Sequence, residues 1–174
     1  MLRVSAFLVA FVLACRASRA SRGPAEGQLE LTWRDSARAV TLHAPVEARW
    51  CAGDTLLELL ALQHDTGFGI SLLARDSVRA DSFPVILGGV YVPRRPYAAA
   101  ALRALGATDL KSYISIWGLV TLSDARRTQV SGNFDMHVAQ SGGHDTLHLI
   151  GGFNRVAVTP AGLPCGRSNK PRTP

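Results

Sequence analysis

The chain is poor in charge and in aromatic side chains: 18% of its 174 residues are charged and 7% aromatic, against 47% apolar. A chain with so little charge and so much to bury is not a disordered one. Cysteine is scarce as well, three residues with no C-x-x-C and no Cys/His spacing suited to zinc. There is no G-x-S-x-G elbow, no P-loop and no dinucleotide glycine pattern, so the usual signatures of hydrolases, nucleotide binders and dehydrogenases are missing. The length suits one domain with a real core. Sixteen Gly and nine Pro, spread along the chain, fit a turn-rich fold better than a helical bundle.

The net charge of +6 suggests nucleic acid until it is located. Residues 28–159 hold twelve Lys/Arg and twelve Asp/Glu, so that region is neutral. The excess sits in Arg3, Arg16, Arg19 and Arg22 and in the tail residues Arg167, Lys170 and Arg172, offset by Glu26. A nucleic-acid-binding domain carries its basic stripe on the folded surface. Here the arms carry it, and no nucleic-acid partner is expected.

Val4 to Ala14, VSAFLVAFVLA, is an eleven-residue apolar run behind Arg3. It suits the h-region of a signal peptide and falls short of the ~20 residues of a membrane-spanning helix. The run closes on Val12-Leu13-Ala14-Cys15, which resembles the lipobox of bacterial lipoproteins, although Leu13 is a less usual choice at its position. The resemblance implies removal of residues 1–14 and acylation of Cys15, so that the partner is a membrane. It also implies an outer-membrane address, because Arg16 stands where an Asp would be the inner-membrane retention signal. Ordinary cleavage after Ser18-Arg19-Ala20 is the competing reading. Residues 15–27 read as a lipidated tether; fully extended, the twelve after Cys15 reach at most about 40 Å. With Cys15 acylated or lost, Cys51 and Cys165 remain, and an even pair in an exported chain reads as one disulfide. It would pin the Pro-rich basic tail, residues 160–174, to the domain.

From Leu29 the apolar period is two. Val40, Leu42, Ala44, Val46, Ala48 and Trp50 alternate with polar positions, which argues a half-buried antiparallel strand with Pro45 at an edge or bulge. The runs Leu56–Leu62 and Phe68–Ala74 about Asp65-Thr66-Gly67 read as a hairpin. Residues 76–96 read as loop with a short strand near Val85-Leu87, and the alanines of 98–105 favour one short helix. Tyr113, Ile114, Ile116, Gly118, Val120 and Leu122 pattern the next strand. In the last unit Val130, Gly132, Phe134, Met136 and Val138, then Leu147, Leu149, Gly151 and Phe153, face a core across the turn Ser141-Gly142-Gly143. Eight or so strands predict a single all-β, antiparallel domain over residues 28–159, a β-sandwich or small barrel.

The runs GLVTLS (118–123), VSGNFDM (130–136) and LHLIGGFNRVAV (147–158) resemble the C-terminal end of certain all-β envelope lipoproteins of unknown function. The resemblance covers about a quarter of the chain. It implies an all-β envelope lipoprotein and carries over no catalytic residue.

Two constellations invite chemistry. Asp65-Thr66-Gly67, with Ile86-Leu87-Gly88 further on, resembles elements of aspartic proteases. Gln63, His64 and Phe68 depart from that pattern, the spacing is too short, and D-T-G is also ordinary hairpin-turn chemistry. Asp135, His137 and His148 fall on the polar face of the final hairpin. If His137 pairs across from His148, the three resemble the ligand sets of Zn²⁺ or Cu²⁺, and solvated polar-face residues are the plainer reading. His43, His64 and His144 have no evident partners, and the Phe and Trp residues read as core. The sequence therefore leaves two classes. One is a non-catalytic, lipid-anchored envelope module that binds a protein, glycan or small molecule without a cofactor. The other is a metal-binding or hydrolytic enzyme built on the final hairpin.

Overall fold

The computed structural model describes residues 23–35, 38–90, 92–93, 95–105, 109–126 and 128–161. The expected signal peptide, Cys15, most of the tether, and the tail with Cys165 lie outside them. The described residues form nine strands and no helix. These are β1 (Gln28–Asp35), β2 (Arg38–Cys51), β3 (Leu56–Gln63), β4 (Thr66–Leu73), β5 (Asp81–Val85), β6 (Tyr97–Leu105), β7 (Leu110–Ala125), β8 (Gln129–Gln140) and β9 (Thr146–Pro160).

The fold is all-β, a single sheet ordered β1-β2-β3-β4-β6-β5-β7-β8-β9 that closes where β9 pairs with β1. It is one ring and not two facing sheets. Pairing is antiparallel except for β5 with β6 and a short parallel contact of β2 with β9. Alternation puts one face of every strand inside. Leu29, Leu31, Leu57, Phe68, Ile70, Leu72, Phe83, Leu102, Met136 and Leu149 are buried in one continuous cluster. At about 25 cal/mol per Å² of apolar surface, burial of this interior is the main term holding the ring closed.

On β8 and β9 the S-G-x-F and G-x-F stretches pair with each other. Gly132 stands opposite Phe153, and Phe134 opposite Gly151. Each ring occupies the space that a side chain across from it would fill, so the two glycines are required by close approach.

The helix expected over 98–105 is instead β6. Its residues Ala98, Ala100 and Leu102 are buried, while Ala101 and Arg103 face outward, and the segment pairs with β4 on one side and β7 on the other. Helix propensity favours alanine by no more than about 0.7 kcal/mol per residue over ordinary residues. Two ladders of backbone hydrogen bonds and one buried face outweigh that. The strand expected near Val85-Leu87 lies earlier, at Asp81–Val85, with Pro84 exposed opposite Leu119.

Ser115 explains why β5 stops there. It is the one buried polar residue among the described residues, at 0% exposure. Its Oγ donates to the Ile86 carbonyl at 2.7 Å and accepts from the Ala100 amide at 3.0 Å. The hydroxyl therefore stitches β7 to the residue after β5 and to β6, where the ring changes neighbours. Ile114 and Ile116 are only half-buried, because Tyr113 and Ser115 take the inward positions of that stretch.

Candidate functional site

The outer face of β7, β8 and β9 carries the most specific arrangement of side chains. His137 and His148 are direct partners across β8 and β9, and Trp117 is the partner of His137 across β7 and β8. The three rings stand in a row. His137 stacks on Trp117 with centroids 3.9 Å apart and planes 17° apart, and on His148 at 4.5 Å and 8°. Asp135, two residues before His137 on the same face, meets His148 Nε2 through Oδ1 at 2.7 Å. The condition posed from the sequence, that His137 pairs across from His148, holds, and Asp135 lies with them.

Trp117 was expected in the core and is not there. It is 57% exposed. Strict alternation from Tyr113 and Ser115 would turn Trp117 inward with them. The register of β7 against β8 shifts between Ser115 and Trp117, so Ile116 is an extra residue and the facing inverts. Beyond the bulge Val120 and Leu122 point in, while Trp117 and Leu119 point out. Gly118 takes the inward position with φ +141, where a Cβ would lie 2.5 Å from Met136 Cα.

The next row across the same face is Pro84, Leu119, Asp135, Ile150 and Thr32. Leu119 is 45% and Ile150 52% exposed. The ladder is thus a rigid aromatic and imidazole ridge flanked by two open aliphatic side chains and anchored at one end by a carboxylate. Burial holds the His137 imidazole below its ordinary value. Neighbouring His148 lowers it further, and Asp135 pulls the other way.

This geometry does not make a metal-ligand set of Asp135, His137 and His148. Imidazole lone pairs lie in the ring planes, and nearly parallel stacked rings aim them side by side instead of at one point. The Asp135 oxygen is already engaged by His148. Among the described residues no group of three His, Cys, Asp or Glu is placed to hold a metal ion.

The other sequence candidates are dispersed. Asp65 is exposed in the two-residue turn His64-Asp65, which joins the paired ends Gln63 and Thr66 of β3 and β4. Asp65, Thr66 and Gly67 line a surface groove of about 520 Å³, with Leu62, Arg103 and Leu110. Gly88 lines a different groove of about 310 Å³, beside Gly69, Ala99 and Ile114. The two triplets of the protease resemblance thus border separate grooves. His43 Nδ1 lies 3.8 Å from Glu30 Oε2 on the outer surface, and His144 is exposed in the β8–β9 turn. Cys51 is buried at the end of β2, and its expected partner Cys165 is outside the described residues.

No protein-family model, curated protein or solved structure matches the chain significantly.

Proposed function

We propose that this is a lipid-anchored protein of the bacterial cell envelope whose folded domain is a non-catalytic binding module, with the outer face of β7, β8 and β9 as its contact surface. The observation that carries the reading is Trp117. A large aromatic ring, 57% exposed, is held in place by stacking and flanked by exposed Leu119 and Ile150. Exposed apolar side chains gathered around a pre-positioned Trp have the make-up of an interface hot spot. The ladder faces outward from the ring, and its one carboxylate is engaged by His148. That disfavours a hydrolytic site, which needs convergent groups in a concave pocket.

The anchor rests on the lipobox resemblance at Val12-Leu13-Ala14-Cys15. Acylation of Cys15 places the protein at the envelope, and Arg16 favours the outer membrane. A Cys51–Cys165 disulfide follows from cysteine parity in an exported chain. The partner is a protein, glycan or small molecule of that compartment.

Site-specific photocrosslinking in intact cells tests the contact surface. A photoreactive residue in place of Leu119, beside Trp117, gives a discrete adduct with an envelope component, whereas one in place of Leu62, on the exposed outer face of β3, gives none. No adduct at 119, or equal labelling at both positions, refutes the reading.

A further inference from the structure

The Trp117–His137–His148 row ends on a single carboxylate, and that makes the position of its middle ring depend on protonation. His137 has Trp117 on one side at 3.9 Å and His148 on the other at 4.5 Å. The groups facing it can be named strand by strand. β7 offers Trp117 and, diagonally, Leu119; β8 offers Asp135 and Ala139; β9 offers His148 with Thr146 and Ile150 to either side. Asp135 and His148 are the titratable groups among them. Asp135 is committed to His148 by the 2.7 Å contact at Nε2.

We infer that this row is an acid-sensitive switch on the proposed contact surface, closed while His137 is neutral and opened at the His137–His148 step when both imidazoles are protonated. Two parallel imidazolium rings 4.5 Å apart repel. One carboxylate neutralises one of them, and His148 already holds it. His137 is therefore the ring that leaves the stack. The direction of its titration agrees, since burial and His148 both disfavour its charged form. The switch gives the contact surface its regulation and rests on that reading for its purpose, although its chemistry stands on the ladder alone. In acid the ridge beside Trp117 is broken, and affinity for the partner falls.

The test is an NMR titration of the imidazole carbon-bound protons in the full chain, held in detergent micelles, between about pH 8 and pH 5. His137 shows ring-current-displaced signals at neutral pH, a midpoint below that of a free imidazole, and loss of the displacement on protonation. His148→Ala removes the neighbouring positive charge and raises the midpoint; His148→Gln, which keeps more of the side chain, raises it too. Asp135→Asn lowers it. An ordinary midpoint unmoved by these changes, or stacking signals that persist in acid, overturns the switch. Crosslinking from position 119, which leaves the Trp117 stack intact, is read separately at both pH values. Loss of adduct at both, with the titration as described, removes the contact surface and leaves the switch. An undiminished adduct in acid removes the coupling between them.

Discussion

Phe134 on β8 and Gly151 on β9 face each other directly, and the ring lies where a side chain at 151 would be. A Cβ at Gly151 would sit 2.5 Å from the Phe134 ring and 2.2 Å from the Glu30 carbonyl of β1, so two strands would have to move. Gly151→Ala should therefore destabilise the domain by about 1–3 kcal/mol, the usual range for forcing extra volume into a packed interior. Gly69→Ala is the control. Its nearest neighbours are at 3.7 and 3.8 Å, and replacing a strand glycine by alanine reduces the freedom of the unfolded chain. Urea denaturation should show a lowered midpoint for Gly151→Ala and an equal or raised one for Gly69→Ala.

Removal of the Ser115 hydroxyl should cost about 1–3 kcal/mol, because it leaves the Ile86 carbonyl and the Ala100 amide without their partner in a buried setting. Amide hydrogen exchange locates the loss. In Ser115→Ala, protection should drop at Ala100 and its neighbours on β6 before it drops on β1 or β2.

The stability of the domain should have a histidine-dependent component between neutral and mildly acidic pH. His137 has a folded-state value lowered mainly by burial, then by His148. The unfolded chain thus takes up a proton more readily than the folded one. Its contribution is fully present above the ordinary value of about 6.5 and is lost as pH falls from there through the lowered folded value. Thermal melts of wild type and His137→Asn should diverge in slope across that window and run parallel at higher pH. Parallel curves throughout would contradict the assignment.

Two chemical tests address the cysteines. Intact mass of exported protein, alkylated before and after reduction, should reveal two additional thiols from Cys51 and Cys165. In the chain-entropy account, loss of that link costs a few kcal/mol because the closed loop exceeds a hundred residues. Cys15→Ser should abolish fatty-acid labelling and release soluble protein. Membrane fractionation of the variant together with an unlabelled wild type would rule the anchor out.

The legible parts of the fold were those where alternation ran uninterrupted. Val130 to Val138 and Leu147 to Phe153 keep period two on either side of a glycine turn, so the polar face shared by Asp135, His137 and His148 followed from the alternation, whereas the direct pairing of His137 with His148 depended on a register the turn did not fix. Trp117 was not legible for a local reason. Ile116 adds one residue to β7, and nothing in the string Ser115-Ile116-Trp117 marks an inversion of facing. Positive φ at Gly118 is its sequence trace, visible only as a glycine inside a strand. Ala98–Leu105 was misread because alanine's preference is local, whereas its strand is imposed by β4 and β7 together. In the same way the end of β5 is set by a hydroxyl about thirty residues further on, which no short window contains.

Closure of the ring by the first and last strands carries a consequence for biogenesis. Gln28 pairs with Asn154, so the chain delivered from its amino end has no completed sheet until β9 has arrived. Until then β1 and β8 both display unpaired amides and carbonyls, the exposure through which strands recruit other chains. Bringing residues so far apart in sequence together is slow compared with hairpin formation. A chain that has not yet received β9 therefore stays open along both edges. A product that ends before Thr146 should aggregate even though eight of the nine strands are intact.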